Sequence, residues 1–399
     1  MSFFKSVTQL PPDPILNLPI VFAKDPKTSK VNLGIGAYLD NEGNAQLLLS
    51  VKQAEAAIIS KGNSKNYLPI DGDPHFVRAS SELVFGERLL NELSGNIFAA
   101  QAVGGTSALR IGADFLLQET SKTVYIPNPS WPTHKLIFGR SGFDIRSYSY
   151  YDSTHHSLDF NAMCKEITLM PSGSVILLHA CCHNPTGIDP TFEQWKKLSS
   201  LIKKHKLIPF FDFAYQGFGA APDEDAEAVR YFASQGHEML VANSFSKNFG
   251  LYGERVGMIA IITQDKEALP KISSQFKQLI RANYSNPPRH GALIVGHILQ
   301  SPGLKAQWLE ELAAMRNRMK TMRQDFVDGL KASNTGRDWS FMEKQHGFFS
   351  FTGLSPNEVE KLIKEHGIYM LDNGRINVAG LNSHNIEHVI KCISEVLSK

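Results

Sequence analysis

Ser244-Phe245-Ser246-Lys247, followed by Glu254-Arg255-Val256-Gly257, is the stretch on which the reading of the chain turns. It sets one lysine just after two small hydroxyl residues, with an arginine eight residues further on. Residues 239–242 before it and 256–263 after it read as short buried strands. Lys247 is therefore expected on a loop at a strand end, where α/β proteins place chemistry. Three readings compete there. The first is a solvated surface lysine, as most lysines are. The second is the partner of an acyl-transfer serine, because Ser-x-x-Lys is a serine-nucleophile signature. The third is an amine holding an aldehyde cofactor as an imine, with the hydroxyls and Arg255 gripping a phosphate.

The totals narrow the field. At 399 residues the chain exceeds what one hydrophobic core usually supports, so two domains are expected. With 42% hydrophobic and 20% charged residues and a net charge of +2, the composition is that of a globular enzyme. Lysines and arginines are scattered, which argues against nucleic-acid or membrane partners, and no apolar run is long enough to span a bilayer. Residues 1–14 carry one lysine and no apolar segment with a cleavage site, so neither a signal peptide nor a typical transit peptide is expected. The four cysteines, Cys164, Cys181, Cys182 and Cys392, lack metal spacing. No metal is expected, and reduced thiols in a cytoplasmic protein are the simple reading.

Along the chain, residues 1–12 read as an irregular arm. Residues 13–18 read as extended, with Pro14 and Pro19 barring a long helix. Residues 31–36 run from a strand into glycines; Gly36 is either a turn glycine or a point of close ligand approach. Gly104-Gly105-Thr106 opens a helix, where free N–H groups and a hydroxyl suit a phosphate, although a plain N-cap explains the threonine equally well. Trp131, in a proline-flanked loop after a strand, either packs a loop or stacks on a planar ligand. Asn184 sits in a polar turn after the strand at 174–180, and His179 reads as an ordinary core histidine. Asp212 ends an apolar strand, where a carboxylate is costly to bury without a cationic partner; otherwise it caps the next turn.

Strand and helix patterns alternate over residues 100–300, which predicts a mostly parallel sheet covered by helices. The strand ends gather Gly104–Thr106, Trp131, Asn184, Asp212, Tyr215 and Ser244–Lys247 on one edge. Helices are expected over 192–205, 270–282 and 307–332, the last with Met315, Met319 and Met322 as packing residues. The final stretch, with strands near 348–352, 368–371 and 374–379 and helices at 355–366 and 386–397, reads as a small αβ layer. The expected division is an arm at 1–12, a small domain from 13–45 and 315–399, and a large domain at 46–314.

At this point the residues resemble a known family. The chain is similar to the aspartate aminotransferases, a branch of the fold-type I pyridoxal-phosphate enzymes. The resemblance covers nearly the whole chain. It includes the segments around Gly36, Tyr67-Leu68-Pro69-Ile70, Gly104-Gly105-Thr106, Asn128-Pro129-Ser130-Trp131-Pro132, Cys182-His183-Asn184-Pro185-Thr186-Gly187, Phe211–Phe218, Asn243–Gly257, Arg281–Pro288 and Gly374–Gly380. Ser107 and Gly253 depart from the family's usual glycine and asparagine, at positions that carry no chemistry.

The resemblance implies a seven-stranded, mostly parallel sheet in a large domain, with a smaller domain built from both termini. It implies that Lys247 holds pyridoxal 5′-phosphate and acts as the proton-transfer base. Asp212 would pair with the ring nitrogen, Asn184 and Tyr215 with the ring oxygen, and Trp131 would stack on the ring. Gly105, Thr106, Ser244, Ser246 and Arg255 would hold the phosphate, with Tyr67 contributed by a second subunit. Arg375 would take the substrate α-carboxylate and Arg281, across a homodimer interface with Ser285 nearby, the side-chain carboxylate. Gly36 and Phe349 would complete the substrate pocket. The implied reaction is ping-pong amino transfer between small dicarboxylic amino and keto acids, L-aspartate with 2-oxoglutarate. An aromatic aminotransferase of the same branch is the serious alternative. A serine acyl hydrolase has Tyr284-Ser285-Asn286 as a second fragment, but lacks Lys-Thr-Gly and leaves Asp212, Trp131 and Arg375 without roles.

Overall fold

Seven strands make one sheet. In this computed structural model, which describes residues 2–62 and 64–398, the strands are β1 (Ile97–Val103), β2 (Thr123–Asn128), β3 (Asp144–Ser149), β4 (Val175–His179), β5 (Ile208–Phe213), β6 (Met239–Ser244) and β7 (Val256–Ile262). Their order across the sheet is β1-β7-β6-β5-β4-β2-β3. β7 runs antiparallel to both its neighbours, β1 and β6, and the other paired strands are parallel. The sheet is thus the mostly parallel one the alternating pattern predicts.

The period of two sorts the strand residues into two cores. Val256, Met258, Ala260 and Ile262 of β7 pack on one face, and Ile259 and Ile261 on the other. Likewise Phe211 and Phe213 of β5 face the first core, and Phe210 the second. Central strands β4, β6 and β7 are buried on both faces, as a sheet covered by helices requires. The helix α1 (Gly104–Glu119) covers the second face.

A third core lies apart from the sheet. It joins Val31 and Leu33 near the N-terminus to Trp339, Ile368, Ile376, Val389 and Ile393 near the C-terminus. The helix α2 (Pro302–Ala332), about 46 Å long at 1.5 Å per residue, connects the cores. Trp308, Leu312, Met315 and Met319 pack under the sheet, whereas Phe326, Val327 and Leu330 pack in the third core. The methionines are packing residues, as read from the sequence.

Some element bounds differ from the sequence reading. Residues 13–18 are not extended: they turn at 14–16 and enter a short helix, Leu18–Lys24, with Pro19 in its first turn, where no donor is needed. Helix α2 starts at Pro302, five residues before the periodic pattern becomes clear. The helix after Ser355 has a capping box with Glu358, but its second half, Leu362–His366, is a π-helical turn. All four cysteines are free and buried. No helix among the described residues is long and apolar enough to cross a membrane.

Candidate active site

The sheet topology gathers the polar residues. β1, β4, β5 and β6 end at one edge, and β7 starts there because it is antiparallel. The segments leaving or entering that edge line a cavity of about 410 Å³. Gly105 and Thr106 come from the start of α1, and Trp131 from the loop after β2. Asn184 follows β4, and Asp212 and Tyr215 lie at the end of β5. Ser244, Ser246, Lys247 and Arg255 bracket the loop between β6 and β7. The remaining wall comes from the third core's side: Gly36, Phe349 and Arg375. The last two stand on short antiparallel strands, with Phe351 opposite Arg375 and Phe349 opposite Asn377.

One end of the cavity is built for an anion. Helix α1 follows Val103 with no side chain capping its first N–H groups, which leaves them free for a ligand. Thr106 lies inside the first turn, so the N-cap reading of that residue is wrong. Arg255 donates to Ser246 Oγ at 3.3 Å and to the Tyr252 carbonyl at 3.1 Å, and among the described residues it has no carboxylate partner. The backbone makes room for it: a Cβ on Gly104, whose φ is +75°, would fall 2.4 Å from Arg255 Nη2. Hydroxyls, free amides and an unpaired guanidinium together fit a phosphate monoester.

A chain of hydrogen bonds supports the opposite end. The Asn184 N–H donates to His179 Nδ1 at 3.4 Å, so His179 carries its proton on Nε2. That nitrogen lies 3.2 Å from Ser130 Oγ, which lies 2.9 Å from His134 Nδ1. With His179 donating, the Ser130 hydroxyl donates onward, and His134 must present Nε2–H to Asp212 Oδ2 at 2.9 Å. Burial pushes the Asp212 carboxyl up, but the hydrogen bond donated by His134 and the nearby Lys247 charge outweigh it, leaving the group below its ordinary value. An ionised carboxylate at the cavity wall fits a cationic ring nitrogen.

Lys247 faces this carboxylate's field and stands over Tyr215, its Nζ 4.9 Å from the ring centroid. Desolvation lowers its pKa; Asp212 opposes and Arg255 reinforces the shift. Burial pushes the Tyr215 hydroxyl up. Arg375 is 1% exposed, donates to Asn184 Oδ1 at 3.1 Å and to the Gly34 carbonyl at 2.7 Å, and lies over the Phe349 ring at 4.2 Å. Among the described residues its Nε has no partner, and desolvation draws its pKa down to about 10. A buried guanidinium on a cavity wall with an unsatisfied donor is a ready carboxylate receptor.

The Aminotransferase class I and II family model matches residues 28–393. The chain belongs to that family. It is 47% identical over 397 residues to an aspartate aminotransferase of Escherichia coli (strain K12), covering 99% of this chain and 100% of the relative. It is 45% identical over 398 residues to a mitochondrial aspartate aminotransferase of Xenopus tropicalis, covering 99% and 93%. Among solved structures it superposes with a TM-score of 0.96 on an aromatic-amino-acid aminotransferase from Burkholderia pseudomallei covalently bound to pyridoxal phosphate. That pair shares 44% identity, and each chain is covered in full. The sequence-level resemblance to aminotransferases is therefore correct, and with it the fold class.

Three of the residues singled out from the sequence lie outside the cavity: Tyr67, Arg281 and Ser285. They belong to one surface assembly. Arg281 hydrogen-bonds Ser285 Oγ, while Asn286 holds the Leu68 carbonyl at 2.8 Å and Arg289 the Asn66 carbonyl at 2.9 Å. Tyr67 projects from it, 90% exposed. Conversely, the sequence reading missed Asp13, Thr133 and Tyr252, which line the cavity, and His134, which supports it. Tyr252 could have been found, since it lies between Lys247 and Arg255. His134 could not, because its partner Asp212 is 78 residues away.

Proposed function

We propose that the protein transfers the amino group reversibly between L-aspartate and 2-oxoglutarate, giving oxaloacetate and L-glutamate, with pyridoxal phosphate held on Lys247. One observation carries the reading: an anion cradle, a lysine, a buried carboxylate and an unpaired buried guanidinium meet in one 410 Å³ cavity. The full-length similarity to aspartate aminotransferases supports the choice of substrate. Bound there, the cofactor supplies an aldehyde that takes up an amino group and a ring that withdraws electrons from the neighbouring carbon.

The chain's residues supply the rest. Gly105, Thr106, Ser244, Ser246 and Arg255 would hold the phosphate, and Trp131, on the cavity wall, would pack against the ring. Asp212 keeps the ring nitrogen protonated, with His134 holding the carboxylate ionised and oriented. Asn184 and Tyr215 would donate to the ring oxygen. Lys247 would hold the cofactor's aldehyde carbon at rest and, with its amine free, would take the proton from the substrate Cα. Its depressed pKa leaves it closer to the neutral form that this needs. Arg375 fixes the α-carboxylate, with Gly36 and Phe349 shaping the wall around it. Ile15, Leu16 and Pro19, which line the mouth, exclude water. Because both half-reactions use one site, the kinetics are ping-pong.

Tyr67, Arg281 and Ser285 are proposed to serve the cavity of a second subunit in a homodimer, Arg281 taking the substrate's side-chain carboxylate. Their grouping in one assembly away from this chain's own cavity supports that. The separate third core supports a small domain from 13–45 and 315–399 on a large domain at 46–314. A cytoplasmic location is part of the same proposal.

The solved structure named as an aromatic-amino-acid aminotransferase favours a second reading, in which aromatic substrates are used as well. The test is kcat/KM for L-aspartate and L-tyrosine against 2-oxoglutarate. A preference for aspartate of about tenfold or more is expected from an arginine whose charge is left unpaired by other side chains. Equal values establish the broad reading, and no transfer from either removes both.

A further inference from the structure

We infer that Arg323 is a positioning residue for Arg375, acting through the turn that carries Phe349; the inference rests on the proposed role of Arg375 as carboxylate receptor. Arg323 stands on α2, 5% exposed, with no carboxylate partner among the described residues. A buried charge without a counter-charge is costly and is tolerated only where its donors are used. Its Nε donates to Ser350 Oγ at 3.0 Å and its Nη2 to the Gly347 carbonyl at 2.5 Å. Those two acceptors lie on either side of Phe348 and Phe349.

The turn needs this clamp. Gly347 has a φ of +74°, and the chain reverses there between a short 3-10 helix and a strand of three residues. So short a strand is weakly held by its own ladder. Gln345 secures the far side, donating to the Phe351 carbonyl and accepting from its N–H, both at 3.1 Å. What the clamp fixes is the Phe349 ring. It lies 4.2 Å beneath the Arg375 guanidinium and 3.1 Å from the point where a side chain on Gly36 would begin. The ring is therefore the shelf that sets the plane of the receptor. A guanidinium suits the task because its planar fork aims donors at two acceptors in a fixed geometry, whereas a lysine's rotatable ammonium does not fix that geometry.

The test is succinate binding, a dicarboxylate without an amino group, measured by calorimetry on the cofactor-loaded protein, with kcat, KM and the cofactor's visible band. Arg323→Met keeps the volume while removing charge and donors, a change that buried sites often tolerate. It is expected to weaken succinate and raise KM for aspartate on the order of tenfold, with kcat changed far less and the band in place. Arg323→Lys is expected to recover part of the loss. Ser350→Ala, which removes one acceptor only, is expected to act in the same direction and by less. If Arg323→Met fails to fold, Ser350→Ala decides: weaker succinate binding supports the inference, and unchanged binding overturns it. A fall in kcat with unchanged succinate binding also overturns it, because a general loss of structure explains that. Arg375→Lys serves as the control for the underlying reading. If it leaves succinate binding unchanged, the receptor role fails and the inference with it. If it weakens binding while the Arg323 and Ser350 variants do not, only the inference fails.

Discussion

His134 Nε2 lies 2.9 Å from Asp212 Oδ2, and His134 is fully buried. The contact gives a strand-end carboxylate the donor it needs to stay ionised away from water. It also sets the order of two losses. Asp212→Asn removes the negative charge and turns the His134 N–H against an amide, so activity is expected to fall by about a hundredfold or more. His134→Asn, which leaves the carboxylate in place but less well held, is expected to cost less, about ten- to a hundredfold. Steady-state rates on the cofactor-loaded variants check this, and a greater loss at His134 than at Asp212 contradicts it.

The pH dependence follows from the charges around Lys247. Desolvation depresses its pKa, Asp212 raises it and Arg255 lowers it further. A depressed amine is neutral at a lower pH than an ordinary lysine. In cofactor-stripped protein, the rate of amine modification at Lys247 is therefore expected to rise with a midpoint below the ordinary lysine value. Asp212→Asn removes the group that favours the charged form, so its midpoint moves down. Arg255→Met removes a repelling cation, so its midpoint moves up. Shifts of opposite sign reject the electrostatic account.

Gly112, in the middle of α1, offers a stability test. Replacing a mid-helix glycine by alanine ordinarily stabilises by about 1 kcal/mol. Here a Cβ would fall 2.5 Å from Phe210 Cζ and 3.1 Å from Leu240 Cδ2, in a packed core. Overpacking of that kind costs about 1–3 kcal/mol and outweighs the helix gain. Gly112→Ala is expected to lower the melting temperature, and a rise indicates that α1 does not approach β5 this closely.

Shared sites can be tested by mixing. Lys247→Ala and Arg281→Ala proteins are each expected to be inactive alone on aspartate. Random hybrid dimers carry one intact site, so an equal mixture is expected to recover about a quarter of wild-type activity. Confirmed hybrids with no recovery contradict a site built from two subunits.

The sheet was legible because β4 to β7 are nearly continuous apolar runs, and such runs survive any choice of neighbour. The active-site edge was legible because Asp212 lies at the end of such a run and Lys247 and Asn184 each follow one within a few residues. Helix ends were less so: Pro302 starts α2 through proline geometry that the hydrophobic period does not register. Thr106 was ambiguous because a hydroxyl near a helix start serves as cap or ligand, and only the position of Val103 decides. His134, Arg323 and Gln345 were silent, since each works through a partner fixed by tertiary packing. Roles for Tyr67 and Arg281 came from family resemblance alone, and nothing local in their sequence marks them.

The central claim is that Lys247 holds the cofactor and releases it to an amino acid. The direct measurement is borohydride reduction of the protein loaded with pyridoxal phosphate, followed by peptide mapping by mass spectrometry, with and without prior L-aspartate. The account predicts a pyridoxyl group on the peptide carrying Lys247, largely lost when aspartate is added first because the cofactor then leaves the lysine. A label on another lysine, or on none, contradicts it.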